Sequence, residues 1–495
     1  VRDRTLDGYW WLAGQEDNKI PGILTYDGTE VSLRLLGAFT YDVEQSPGVS
    51  MVETTQKAPL ILGAADGEAV TLVDCRQRSF SARWGMTEDR RQTFDARLML
   101  VGIWLDQPNE EYFDKILVGV DHLLAWSRQS GLELRADFDE SIGHWSRSVK
   151  WDGTDEPLTA HVGDAMIELR LRCATKGVTR ADRTENALVE HAALVVTLPE
   201  LRSADAQIEQ WTKAFQDLLT LAMDTPCGLQ DITLVRTNPP VDRSETETRE
   251  SERIRPVEVD VYFAPLYRAK PDAEAVHSHD ALFTLNDVSF AELIPAWFDL
   301  NERLGPVIGM LLGERYLGRS FVENRLITAV AAAEGLHRRL LTDKTYLPDD
   351  QFEALRSDLI KAVPAEHVRW LTDRLWNEPS LKQRLMQLVE CLGDDVVEPF
   401  MPKPNRWARR AKDARNLLVH RFDEDDSREP LTNSAMYVLA AMTSSVITLV
   451  LLQEIGLSRA QLSQLAEEQR SFRWIGQEGR RYVPWVFGEQ GQATS

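Results

Sequence analysis

The hydrophobic period of the chain changes at Ser289. Before it, short apolar runs alternate and are broken by Gly, Asp and Pro. After it, apolar residues recur at helical spacing with few breaks. One core cannot serve both patterns over 495 residues, so the chain must divide into separately packed units. The fold class expected is α+β multidomain: a β-rich, sandwich-like N-terminal region followed by an all-α bundle.

The strand-like runs include VSLRLLGAFTY, AVTLVDC, RLMLVGIWL, LELRADF, AMIELRLRCAT and AALVVTLPEL. A helix is expected after them, capped at Ser203 or Asp205 and closed by Pro226 and Gly228. Two further strands, DITLVRT and VEVDVYF, flank a charged, Pro-bounded segment at 238–256 that reads as an exposed loop. The helical half offers six segments, within 289–312, 321–341, 348–363, 381–392, 405–420 and 436–456. These patterns divide the chain into a β-rich region at 1–287, a helical connector at 288–318, a bundle at 319–460 and a tail at 461–495.

Composition narrows the function. Net charge is -22, which excludes an indiscriminate binder of long duplexes unless a local basic patch exists. Cys75, Cys173, Cys227 and Cys391 are far apart and form no CxxC, which points to a reducing cytoplasm. The opening VRDRTLDGYWW has no apolar core after its charges, so no secretory leader is expected. The run AMYVLAAMTSSVITLVLL, 18 uncharged residues, reaches the lower edge of a bilayer span. Its Ser and Thr residues favour a buried bundle helix, so no membrane partner is expected.

The basic patch lies at 403–421. Lys403, Arg406, Arg409, Arg410, Lys412, Arg415 and Arg421 face one acid, Asp413, and the acidic run DEDD follows at 423–426. The bland reading is a solvated helix whose cations favour its C-terminus. The alternative is chemical. On a helix, Asn416 and His420 share a face, and Arg415 reaches the same pocket. A guanidinium can hold a phosphate bidentately and an imidazole can move protons near neutral pH. Together these suit attack of a ribose 2′-hydroxyl on its neighbouring phosphate, with no metal and no cofactor. Arg406, Arg409, Arg410, Lys412 and Arg421 would then hold the RNA backbone. The DEDD run could shield the helix from RNA.

Arg415-Asn416-x-x-x-His420 resembles the R-x4–6-H motif of HEPN ribonucleases. AVAAAEGLHRRL resembles the first HEPN helix, with Glu334 as its inner polar residue. LKQRLMQLVECL followed by ARRAKDARNLLVH resembles the HEPN domain of ApeA-type anti-phage defence proteins. The opening LDGYWWLAGQEDNKIPGILTYDGTEVSLRLLG resembles their N-terminal domain. The resemblance implies a homodimer, metal-free RNA cleavage and abortive infection set off by a phage-derived trigger. It implies Arg415, Asn416 and His420 as catalytic residues, with Glu334 as a first-helix partner. Glu323 and His337 are alternatives to Glu334, and Glu334 could instead pair structurally with a bundle arginine such as Arg384. A catalytically silent HEPN module that binds RNA or protein is the competing reading.

Other motifs carry less. GERYLGRS at 313–320 mimics a phosphate loop but has arginine where lysine belongs. His277 and His279 lack further ligands in sequence, and Tyr9, Trp10 and Trp11 read as core before they read as a stacking platform.

Overall fold

Trp10 shows why the first strands pair as they do. Its ring is fully buried, its indole N–H donates to the Gly22 carbonyl at 3.1 Å, and Gly63 lies opposite it on the next strand. A Cβ at Gly63 would sit 2.3 Å from the ring, so only glycine admits the tryptophan. The computed structural model in which this is seen describes residues 3–488 except 47–48, 84–88, 140–143, 154–155, 180–183, 240–254, 269–275, 343–344 and 421–430. The expected loop at 238–256 and the DEDD run therefore lie largely or wholly outside the described residues. The chain divides into two units, Val1–Asn286 and Asp287–Ser495.

The first unit begins with β1 (Arg4–Leu12), β2 (Ile20–Tyr26), β3 (Val31–Leu35), β4 (Thr40–Ser46), β5 (Val49–Thr54), β6 (Lys57–Ala65), β7 (Glu68–Arg83), β8 (Asp89–Ala96) and β9 (Leu98–Val101). It continues through β10 (Phe113–Val120), α1 (Leu123–Ser127), β11 (Leu132–Asp139), β12 (His144–Trp151), β13 (Leu158–Val162), β14 (Ala165–Thr179) and β15 (Thr184–Arg202). Helix α2 (Ala204–Ala222), β16 (Leu229–Arg236) and β17 (Val257–Phe263) complete it.

Thirteen strands form one sheet, in the order β13-β14-β15-β10-β16-β17-β9-β7-β6-β1-β2-β3-β8. The 16-residue β7 organises it. One edge of β7 pairs with β6; the other pairs with β9 through Val70–Val73 and then with β8 through Arg76–Arg83. Because β8 also pairs with β3, the path from β7 through β6, β1, β2, β3 and β8 returns to its start. The result is a closed antiparallel barrel with the remaining strands extending from it as an open wing. The expected β-rich unit followed by a helical one is what the structure shows, and within the first unit the strands form a barrel plus wing where a sandwich-like packing was expected. Alternation identifies a strand and its inner face, but not which distant strand it joins. The barrel holds Trp10, Leu24, Leu33, Phe39, Leu72 and Phe94 in its core. Helix α2, capped by the Ser203 hydroxyl accepting from the Ala206 N–H at 3.3 Å, packs against β10 and β16 of the wing.

The second unit is entirely helical among its described residues. Its helices are α3 (Phe290–Leu317), α4 (Val322–Leu340), α5 (Asp349–Ala362), α6 (Ala365–Thr372), α7 (Leu381–Leu392), α8 (Asp394–Val397), α9 (Pro404–His420), α10 (Asn433–Glu454), α11 (Arg459–Glu468) and α12 (Arg470–Tyr482). The apolar run noted above is α10. It is long and apolar enough to cross a membrane, yet most of it is buried inside the protein. It packs against α3, α4, α7, α9, α11 and α12, which makes it the core helix of the bundle.

The residues expected as connector and tail belong to this unit. Helix α3 buries Trp297, Leu300 and Leu304 and packs on α4 and α10. Residues 461–482, expected as tail, hold most of α11 and all of α12, which bury Leu462 and Phe472. The phosphate-loop mimic GERYLGRS is the end of α3 and the turn beyond it. There Arg325 donates to the Gly318 carbonyl and the Ser320 hydroxyl, each at 3.0 Å, and fixes the α3–α4 corner.

Candidate functional site

Helix α9 enters the bundle on a stripe of small residues. Ala408, Ala411 and Ala414 are buried beside Trp407, so α9 packs closely on α4, α7 and α10. The indole N–H of Trp407 donates to the Thr443 hydroxyl of α10 at 3.3 Å. Arg415 continues the same stripe, four residues past Ala411 and seven past Ala408, and is half-buried. Its Nη1 donates to Oδ1 of Asn416 at 3.2 Å. Arg415 and Asn416 are therefore joined in one polar group near the C-terminal end of α9, where the helix dipole favours cations. His420 is the last residue of α9; its side chain lies outside the described residues, as does Arg421.

Four other cations of the basic run have protein partners. Arg409 and Lys412 approach Asp413 at 3.9 and 3.3 Å. Arg406 donates to the Trp485 carbonyl at 3.0 Å, and the Arg410 guanidinium lies over the Trp485 ring, 5.9 Å from its centroid. Trp485 belongs to the short 3-10 turn Pro484–Val486. Arg406 and Arg410 thus fasten α9 to the C-terminal turn, a structural role that charge counting alone does not reveal. Arg409 stays largely in solvent.

A second polar group lies between α4 and α7. Glu334 binds Arg338, a bundle arginine, at 3.2 Å, and its charge also acts on Arg384. Arg338 also reaches Glu378 at 2.9 Å, and Glu378 binds Arg384. Arg384 is nearly fully buried and sends Nη1 to Nδ1 of His337 at 3.2 Å. A guanidinium can only donate, so Nδ1 accepts and the proton of His337 sits on Nε2, which donates to Oε1 of Gln387 at 2.6 Å. His337 is 1% exposed. Burial pushes its pKa down and the Arg384 charge pushes the same way, so the imidazole is neutral at pH 7. Burial, and then the Arg338 charge, also lower the pKa of Arg384, which remains a cation.

Sequence reasoning named His337 only as an alternative and missed its bond to Arg384. The signal was present. His337 follows Leu326, Val330 and Ala333 on the inner stripe of α4, and Arg384 lies among Leu385, Leu388 and Leu392 of α7. Glu323 is half-buried in the first turn of α4. His277 and His279 stack at 5.3 Å, and among the described residues no group of three or more His, Cys, Asp or Glu is placed to hold a metal ion. Of the N-terminal aromatics, Trp10 and Trp11 are core and Tyr9 is exposed.

The helical unit, with α4, α7 and α9 packed around these polar groups, matches a described domain class. The family model Apea-like HEPN covers residues 327–461. The model ApeA N-terminal domain 1 covers residues 5–297, more than half of the chain. The chain belongs to the ApeA family and has the ApeA-type architecture, which makes it a HEPN-type defence protein. No curated protein and no solved structure matches it.

Proposed function

We propose that the chain is a metal-independent endoribonuclease of anti-phage defence. The observation that carries this reading is the joined Arg415–Asn416 pair at the half-buried end of α9, with His420 one turn beyond Asn416, in a chain with an Apea-like HEPN domain. Arg415 holds the scissile phosphate and stabilises the charge that builds on it. His420 takes the proton of the attacking 2′-hydroxyl or supplies one to the leaving 5′-oxygen. The products are a 2′,3′-cyclic phosphate and a 5′-hydroxyl. Asn416, held by Arg415, orients the imidazole or the ribose. One chain brings one such histidine, so a homodimer would supply both proton transfers. Glu334 sits in the polar group on α4 and steadies the α4 wall through Arg338.

With so acidic a chain, the substrate is better sought among structured small RNAs, such as tRNA loops, than among long duplexes. The β-rich unit would receive a phage-derived trigger, and the enzyme would act in the cytoplasm.

The partners of Arg406 and Arg410 favour a second reading, a silent HEPN module, because those two cations are committed to the C-terminal turn. One experiment separates the two. Cells carrying wild type, Arg415→Ala or His420→Ala are challenged with phage and their total RNA is run on a gel. Discrete fragments and protection with wild type alone support the nuclease. Equal protection by folded variants supports the silent module.

A further inference from the structure

The ribbon β11–β12 is a two-stranded sheet of its own. Its register pairs Leu132 with Trp151, Leu134 with Val149, Ala136 with Arg147 and Phe138 with Trp145. These eight residues share one face because side chains alternate along a strand. The opposite face carries Glu133, Arg135, Asp137, His144, Ser146, Ser148 and Lys150. The apolar face is in water: Leu134 is 74% exposed, Trp145 58%, Val149 55% and Phe138 47%. An isolated two-stranded ribbon with an uncovered apolar face is marginal, and a further layer is what stabilises such a sheet.

The base of the ribbon is nonetheless firmly held. Glu190 of β15, itself buried, accepts from the Ser130 hydroxyl at 2.7 Å, the Gly131 N–H at 2.7 Å and the Trp151 indole N–H at 2.8 Å. The ribbon is presented rather than loose.

We propose that this face docks a second copy of the chain, ribbon on ribbon. The argument is self-complementarity and area. A two-fold axis along the strands lays β11 over β12 of the second copy at equal height. Leu134 then covers Val149 of the second copy and Phe138 covers Trp145. Ala136, the smallest residue of the face, receives the long stem of Arg147, the only charged residue on it. The exposed apolar side chains present on the order of 500 Å². Two copies would bury about 1,000 Å², the lower edge of a specific interface. The ribbon contact is independent of the nuclease reading and uses none of its residues.

Sedimentation velocity of the full chain tests it, comparing wild type with Leu134→Asp over the micromolar range. Leu134 is the most exposed residue of the face, so the variant should keep the wild-type far-ultraviolet spectrum. The particle mass should halve in the variant and stay at the wild-type value in the opposite-face control Ser146→Asp/Ser148→Asp. Equal masses for wild type and the apolar-face variant overturn the proposal. So does a wild type that pellets with phosphatidylcholine vesicles when the variant does not, which would assign the face to a lipid surface. RNA cleavage by wild type would stand in either case.

Discussion

Arg384 on α7 donates to the ring nitrogen Nδ1 of His337 on α4, across 47 positions of sequence and inside the helical core. The bond fixes the tautomer of the imidazole and places a buried cation beside a neutral ring. Two helices are thereby locked face to face at a point where an apolar pair would hold them only by packing.

Replacing His337 by Ala should be costly. It leaves the Arg384 guanidinium with one acceptor fewer and opens a cavity between α4 and α7. A loss of about 3 kcal/mol is expected, read from denaturant unfolding of the helical unit in the full chain. His337→Gln, which can still accept from Arg384, should recover part of it.

The same residue predicts a pH dependence. The folded-state pKa of His337 lies below the ordinary histidine value of about 6.5. As pH falls below about 6.5 the unfolded chain binds a proton that the folded chain does not, so stability declines until the lowered folded value is passed. Melting temperature measured from pH 7.5 to 5 should fall less steeply in His337→Gln than in wild type. Parallel curves would contradict a neutral, buried His337.

In the barrel, Gly63→Ala should be as severe as a core truncation. The added methyl would stand 2.3 Å from the Trp10 ring, and the strand pairing leaves neither backbone room to move. A cost of about 3 kcal/mol is expected, together with a changed near-ultraviolet tryptophan spectrum.

Much of this was legible in sequence. The change of period at Ser289 marks the passage from strands to helices, and the helix expected to be capped at Ser203 or Asp205 is capped by the Ser203 side chain. What stayed hidden was non-local. Closure of the barrel depends on β7 reaching both β6 and β8, a choice of partners that no local pattern encodes. Helices α11 and α12 were hidden for another reason: their charged residues mask the few apolar ones, among them Leu462 and Phe472, that bind them to the bundle. At the candidate site the motif residues were visible, but the commitment of Arg406 and Arg410 to Trp485 was not, because the partner lies about 75 or more positions away.

That commitment is itself testable. Trp485→Ala should loosen the C-terminal turn from α9 and lower the melting temperature by a few degrees, about 1–2 kcal/mol. Hydrogen exchange across residues 404–412 should rise in the variant. Unchanged exchange there would show that the contact contributes nothing to holding α9.

The central claim is that Arg415 and His420 cut RNA. The most direct test maps RNA ends bearing 5′-hydroxyl and 2′,3′-cyclic phosphate in phage-infected cells that carry wild type, Arg415→Ala or His420→Ala. New cyclic-phosphate ends at defined sites in wild type alone are the expected result, with both variants at background although folded and equally abundant. The same ends in either folded variant, or protection by wild type without any new ends, would contradict it.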